Sequence, residues 1–286
     1  IVDAEGRIIA ILLGTPDDPN WPNIIKEVVK ALARARRKAR EQGAWSPHRH
    51  RRGRYMPLTT GVSFGGGQKR PGNLANSRFY RRLIRSLLRN KAIQRIAGFQ
   101  SAGLALYAPK LYRYMRRTLR ELFKRQPELA HNFKNSIFTA TTFNCGPDAV
   151  TVTHVDHLNL SHGLCAITSG GRYDHTKGGA IHLKQIRLVI QFPAGASILI
   201  PSGCLDHGNT AIQEGEERYS MTQYAAGGLF RWAEYGFQTA KDLLLQPGGE
   251  ELRAKFDGVP GARWEWALGL FSKLDELEAD RFGGAD

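Results

Sequence analysis

The chain has 286 residues and a hydrophobic fraction of 42%, so it is long enough to bury a full core and has the composition of an ordinary globular protein. No apolar run approaches the roughly 20 residues of a membrane span, so we expect no membrane partner, and three cysteines without a CxxC pair argue against a disulfide scaffold or a zinc ribbon. The net charge of +15 is concentrated in residues 1–130, which hold 28 Lys and Arg against 8 Asp and Glu, and this favours nucleic acid as a partner.

The N-terminal half is predicted to be mainly helical. A strand is expected at residues 7–14 and a capped helix at 17–43, where apolar residues recur at three- and four-residue intervals. The same spacing with interleaved arginines predicts two or three helices within residues 76–129. We expect these helices to brace a sheet on one side and to expose basic residues on the other.

A turn-rich segment, residues 56–77, is predicted to be a glycine-rich loop. Three consecutive glycines precede Gln68, Lys69 and Arg70, and glycine lets the backbone approach a ligand closely. These three side chains are therefore candidate contacts to a substrate, and a flexible connector is the alternative. The basic block at 48–54 is one of several that fit a phosphate backbone, although each block alone is better explained by a solvated surface or a nuclear-import patch.

Eight short strands, separated by Gly and Pro turns, are predicted between residues 135 and 226. They read NSIFTATTF, AVTVTHVD, GLCAITSG, AIHL, IRLVIQF, SILIP, HGNTAI and RYSMTQYAA. Strands of this size suggest a jelly-roll of two facing sheets. We predict an α+β fold with a double-stranded β-helix (jelly-roll, cupin-like) core at 135–226. Basic N-terminal helices (1–134) and C-terminal helices (227–286) flank this core within a single domain, residues 1–286.

His154 and Asp156, in THVDHLN, and the later His207 form the strongest chemical signal. Two imidazoles and one carboxylate on one face of a metal are the ligand set of non-haem Fe(II) oxygenases. Two residues apart on a strand, His154 and Asp156 would share one face and could reach one ion. His157 and His162 are the neighbouring histidines that could be mistaken for ligands.

Arg218 and Ser220 follow His207 and are predicted to bind the co-substrate. The guanidinium of Arg218 presents a fork of donors that suits the distal carboxylate of 2-oxoglutarate. Ser220, two residues later, would lie on the same face of the strand. The predicted cofactors are therefore Fe(II) and 2-oxoglutarate, with O2 as the oxidant.

Several of these motifs resemble the ten-eleven translocation and J-binding-protein branch of the 2-oxoglutarate oxygenases. The resemblance rests on HVDHLN, PSGxxxHGN, RYS and QYAAGG, and GVSFGGGQKRPGNL and LFRWAEYGF resemble fungal, transposon-associated members. It covers roughly residues 56–240. It implies that Asn159 reads a flipped base and that Tyr224 stacks on it. Where the family often has a histidine this chain has Ala226, and three residues are candidates for the missing polar contact: Arg231, Trp232 and Glu234.

The sequence therefore predicts a nuclear, monomeric dioxygenase that oxidises a methylated base flipped out of double-stranded DNA. The expected substrate is 5-methylcytosine, oxidised to hydroxymethyl-, formyl- and carboxylcytosine, and 6-methyladenine demethylation is the closest variant. Three alternatives remain open: an AlkB-type DNA or RNA demethylase, a prolyl or lysyl hydroxylase, and a catalytically silent DNA-binding module.

Overall fold

The computed structural model describes residues 1–46, 51–259 and 261–283. Its strands are β1 (Ile11–Gly14), β2 (Pro57–Ser63), β3 (Gly72–Asn73), β4 (Ala140–Asn144), β5 (Cys165–Arg172), β6 (Ile181–Leu183), β7 (Leu188–Ile190), β8 (Ser197–Ile200), β9 (His207–Asn209) and β10 (Glu217–Tyr224). Its helices are α1 (Trp21–Glu41), α2 (Arg78–Leu88), α3 (Lys91–Tyr107), α4 (Pro109–Arg125), α5 (Gly227–Glu234), α6 (Ala240–Leu244), α7 (Gly249–Asp257), α8 (Ala262–Leu268) and α9 (Leu277–Phe282). None of the described helices combines the length and the apolar character needed to cross a membrane.

The strands form two antiparallel sheets, as a jelly-roll requires. Among the described residues, the larger sheet has the order β1-β8-β5-β10-β4-β2-β3 and the smaller one the order β7-β6-β9. β10 lies between β4 and β5 and pairs with both along most of its length. The predicted α+β fold with a jelly-roll core is therefore confirmed.

The N-terminal half contributes three strands, β1, β2 and β3, to the larger sheet, so the core is not confined to residues 135–226. β1 pairs with β8 at one edge, and β2 pairs with β4 near the other. The prediction of a continuous loop at 56–77 is wrong, because β2 and β3 lie within it. PLTTGVS carries β-branched residues that favour a strand, and Gly61 allows close pairing, since a β-carbon there would lie 2.2 Å from the Thr139 carbonyl oxygen.

The predicted strand AVTVTHVD at 149–156 is also not formed. Its backbone amides donate hydrogen bonds to three different neighbours. Ala149 donates to the carbonyl of Arg218, Val152 to that of Arg52, and His154 to that of His207. Because no single partner strand runs alongside it, a continuous ladder cannot form. The segment instead crosses from one sheet to the other and carries two of the three predicted iron ligands, His154 and Asp156.

The helices of the N-terminal half pack on the larger sheet, as predicted. α1 buries Trp21, Ile25, Val28 and Leu32, and both α1 and α3 contact β5. α2 buries Leu83, Ile84 and Leu87. It exposes four arginines, and a fifth follows directly after its last residue: Arg78, Arg81, Arg82, Arg85 and Arg89. These helices thus support the sheet that carries the site and present positive charge to solvent.

The C-terminal tail is helical but is divided into short pieces. Within the predicted helical tail, the segment 263–282 is split between α8 and α9. Between them, the backbone of Ser272 and Leu274 bonds to Ile8 and Gly6 near the N-terminus. These long-range bonds replace the helical bonds that the local pattern favours.

Candidate active site

The side chains of His154, Asp156 and His207 converge at one point between the two sheets. One ligand atom from each lies within 4.8 Å of the other two. His154 Nε2 is 3.5 Å from Asp156 Oδ1, and His207 Nε2 is 3.8 Å from Asp156 Oδ2. These spacings fit three ligands on one face of a single ion.

The backbone holds the two imidazoles side by side. The amide of His154 donates to the carbonyl of His207 at 3.0 Å, and the amide of His207 donates to the carbonyl of His154 at 2.9 Å. In both rings Nδ1 contacts a backbone carbonyl, that of Val152 at 2.8 Å and that of Leu205 at 2.9 Å. Nδ1 therefore carries the proton and Nε2 offers its lone pair to the metal.

Asp156 is held from both sides. Arg52 Nη1 donates to its Oδ1 at 2.6 Å and Asn159 Nδ2 to its Oδ2 at 3.2 Å. Burial disfavours ionisation, but the contact with His154 and the charge of Arg52 outweigh it and hold the pKa of Asp156 well below its ordinary value. Burial also lowers the pKa of His207. The site thus presents an anionic carboxylate beside a neutral imidazole, the forms that bind metals.

Arg218 is the most deeply buried cation of the site, with 1% of its surface exposed. Its guanidinium lies 5.9 Å from the ring centre of Tyr173 and 5.6 Å from that of Phe192. Nη1 donates to the Ala149 carbonyl at 2.5 Å, whereas Nε has no hydrogen-bond partner among the described residues. A buried guanidinium with an unsatisfied donor is costly unless an anion binds it. The distal carboxylate of 2-oxoglutarate fits this requirement.

Alternate residues of β10 face the same cavity. Arg218, Ser220 and Tyr224 all line it, whereas the intervening Tyr219 and Met221 are buried against the helices on the other face of the sheet. Ser220 Oγ accepts a hydrogen bond from Asn144 Nδ2 at 2.8 Å. The two-residue periodicity expected for a strand therefore positions the predicted co-substrate residues.

A cavity of about 470 Å³ connects the iron ligands with the predicted base-reading residues. Asn159 and Tyr224 both line this cavity. Asn159 Nδ2 also donates to Ser202 Oγ at 3.0 Å, and burial raises the pKa of Tyr224, whose hydroxyl lies 3.5 Å from Thr142 Oγ1. The volume lies within the range of pockets that bind small molecules.

The other predicted substrate contacts do not line this cavity. Gln68, Lys69 and Arg70 are exposed on the loop between β2 and β3. Arg231, Trp232 and Glu234 lie on α5, which begins at Gly227 and leads away from the cavity. Trp232 packs edge-on against Phe64 with ring centres 5.2 Å apart, while Glu234 accepts from the Tyr114 hydroxyl at 2.9 Å and pairs with Arg263. This placement does not support a contact between the α5 residues and a base.

The neighbouring histidines are not metal ligands in this arrangement. His157 is exposed at the rim of the cavity. His162 is buried between Tyr114 and Trp266, with ring centres 5.6 and 5.4 Å away. Its Nε2 has no partner among the described residues.

Sequence reasoning missed Arg52 and Tyr55, which line the cavity from the segment before β2. Arg52 lies in the basic block at 48–54, whose first three residues fall outside the described ones. Its partner Asp156 is 104 residues away, so no local pattern indicates the ion pair. The Tyr55 hydroxyl lies 3.1 Å from Thr151 Oγ1.

Comparisons with known proteins find similarity in structure only. No protein-family model and no curated protein matches the sequence. Among solved structures, NgTET1 in complex with 5mC DNA is 13% identical, with a TM-score of 0.54 over 77% of this chain and 72% of that one. A Pseudomonas putida prolyl-4-hydroxylase is 11% identical, with a TM-score of 0.32 over 75% of this chain and 90% of that one.

The NgTET1 similarity supports the fold, and the chemistry of the site rests on this chain's own residues. Two imidazoles and an ionised carboxylate fit Fe(II), and the buried, partly unsatisfied Arg218 fits a dicarboxylate beside it. The predicted cofactors are confirmed at this level. The chain shares its fold with NgTET1, and its own side chains fit Fe(II) and 2-oxoglutarate.

Proposed function

We propose that this protein is an Fe(II)- and 2-oxoglutarate-dependent dioxygenase that oxidises a methylated base in double-stranded DNA. The preferred substrate is 5-methylcytosine, oxidised stepwise to the hydroxymethyl, formyl and carboxyl forms, with 6-methyladenine demethylation as the closest variant. We further propose that the enzyme acts as a monomer in the nucleus.

The observation that carries this proposal is the set of side chains that line one cavity. The predicted iron ligands and Arg218 line it together with Tyr224 and Asn159. Such a space accepts a single planar ring that has left a duplex, because extruded bases are held by stacking and by hydrogen bonds to their edge. The similarity to NgTET1 in complex with 5mC DNA adds support from the fold.

Asn159 and Tyr224 have complementary roles in this proposal. The amide nitrogen of Asn159 already donates to Asp156 and Ser202, so its oxygen is left to accept a hydrogen bond. Cytosine and adenine both offer an exocyclic amino donor, and thymine offers a carbonyl at the corresponding position. This arrangement favours a methylated cytosine or adenine. The Tyr224 ring provides the stacking surface.

The metal and the other residues divide the chemistry. Bound Fe(II), with 2-oxoglutarate and O2, supplies the oxidation of an unactivated methyl group, which side chains cannot perform. His154, Asp156 and His207 fix the position of the ion, and Arg218 orients the co-substrate beside it. The partly buried Arg52 holds Asp156 and keeps its carboxylate ionised.

The charged surface supports DNA as the partner. α2 exposes four arginines and Arg89 follows directly after it, and Lys69 and Arg70 lie on the loop that follows β2. DNA affinity should fall steeply with salt, with a log–log slope of about −0.9 for each phosphate contact. Replacing Lys69 and Arg70 by alanine should flatten this slope, and salt-independent binding would favour a protein substrate.

Mass spectrometry of nucleosides tests the activity directly. The protein is incubated with Fe(II), 2-oxoglutarate, ascorbate and matched duplexes that carry 5-methylcytosine, 6-methyladenine or no methyl group, with Asp156→Ala as the inactive control. Loss of 5-methylcytosine with appearance of its oxidised forms is the expected result. Activity confined to single strands or alkylation lesions would favour an AlkB-type enzyme, and no nucleoside oxidation would contradict the proposal.

A further inference from the structure

Leu158 occupies an unusual place for a leucine. The amide of Asn159 donates to the carbonyl of Asp156 at 2.8 Å, which makes His157 and Leu158 the two central residues of a turn. Such positions favour Gly, Pro, Asn, Asp and Ser. Leu158 nevertheless leaves 58% of its surface exposed, at the rim of the active-site cavity.

The backbone around Leu158 is firmly held although its side chain projects. The carbonyl of Leu158 accepts from the amide of Gly227 at 2.9 Å, and the amide of Leu160 donates to the carbonyl of Ala225 at 2.9 Å. Asp156 on the other side is bonded through its amide to Ser202 at 2.9 Å. A mobile loop tip therefore does not explain the exposure, because the turn is tied to the end of β10 and to the iron ligand.

The surroundings of Leu158 are shaped for a nucleic acid. The facing loop has no side chains here: a β-carbon at Gly65 would lie 3.5 Å from Leu158 Cδ2, and one at Gly66 would lie 3.8 Å from Cδ1. The same loop continues to the exposed Lys69 and Arg70, and the exposed Arg51 lines the cavity. An apolar tip thus stands at the mouth of the cavity, with positive charges on the neighbouring segments.

We propose that Leu158 is the wedge that enters the base stack when the methylated base leaves the duplex. This inference rests on the proposed function. Extruding a base costs stacking energy and leaves a gap, and apolar side chains such as leucine are used to separate base steps. Leu158 is two residues from Asp156, so a DNA strand that delivers a base to the iron would pass beside Leu158. Phosphates on either side of the gap would meet the basic segments.

Oxidation of one methylated strand in two contexts tests the wedge. The substrates are a matched duplex with a single 5-methylcytosine and the same strand alone. Leu158→Ala should lower oxidation of the duplex by about tenfold or more and change oxidation of the single strand by less than about twofold, because only the duplex requires unstacking. Leu158→Phe keeps the apolar bulk and should retain duplex activity. Leu245→Ala, which shortens a leucine with 75% exposure on the C-terminal tail, is the matched control.

A 2-aminopurine next to the methylated base gives a second readout that does not depend on turnover. Its fluorescence should rise on binding of the unaltered protein and rise much less with Leu158→Ala. Equal losses on both substrates, or no loss on either, would overturn the wedge while leaving the proposed function in place. A lack of oxidation of either substrate by the unaltered protein would overturn the proposed function and the wedge with it.

Discussion

Replacing Arg218 by methionine tests two effects of its buried guanidinium separately: its effect on the stability of the protein and its part in binding 2-oxoglutarate. The guanidinium is 1% exposed and its Nε has no partner among the described residues, so its burial costs stability until an anion binds. A charge-assisted pair with the distal carboxylate of 2-oxoglutarate contributes about 1.5–3 kcal/mol. Arg218→Met should therefore raise the Michaelis constant for 2-oxoglutarate by roughly tenfold to 150-fold.

The same variant should be no less stable than the unaltered protein when 2-oxoglutarate is absent. Methionine fills a similar volume and removes a buried charge, and such replacements are often neutral or stabilising. Melting temperatures measured with and without 2-oxoglutarate check this: the rise on adding co-substrate should disappear in Arg218→Met. Arg231→Ala, on the exposed side of α5, should leave the Michaelis constant unchanged. An unchanged constant in Arg218→Met would refute the assignment of this residue.

Three further predictions concern the metal, the base and the buried histidine. Asp156→Ala should abolish Mn(II) binding in calorimetry and retain the circular dichroism spectrum of the folded protein. The control variant, His157→Ala, should bind Mn(II) normally. Full oxidation activity in a folded Asp156→Ala protein would contradict the ligand set. Tyr224→Ala and Asn159→Ala should each lower the oxidation of methylated duplex far more than they lower the uncoupled decarboxylation of 2-oxoglutarate. Stacking alone contributes about 1–3 kcal/mol per base. Equal losses in both assays would show that these residues support the barrel and do not contact the base. Burial, aided by a nearby arginine, lowers the pKa of His162 from 6.5 to about 4. As the pH drops, the unfolded chain therefore takes up a proton on His162 before the folded chain does. The free energy of unfolding should fall between pH 6.5 and pH 4, by up to about 3 kcal/mol. His162→Phe should flatten that fall in denaturant titrations, and an unchanged pH profile would show that His162 does not cause it.

The parts of the fold that depend on local periodicity could be predicted from the sequence. Alternation along β10 correctly placed Arg218 and Ser220 on one face. His154 and Asp156 do converge, but on an irregular segment rather than a strand, because its backbone bonds to three partners in succession. The ion pair between Arg52 and Asp156 could not be predicted, since it joins segments 104 residues apart. The position of the α5 residues outside the cavity could not be predicted either, because the direction of that helix is set by tertiary packing.

The three strands that the N-terminal half adds to the larger sheet limit how this protein can be shortened. A fragment of residues 135–226 would lose the partners of β4 and β8 at once. Both strands would then present rows of unpaired amides and carbonyls, which promote aggregation through edge-to-edge pairing. The arginine-rich half is therefore part of the scaffold as well as the proposed surface for DNA, and a minimal folded unit has to begin before β1. Because β2 and β4 are about 80 residues apart, sheet closure must also wait for a long loop to close, which predicts slow folding.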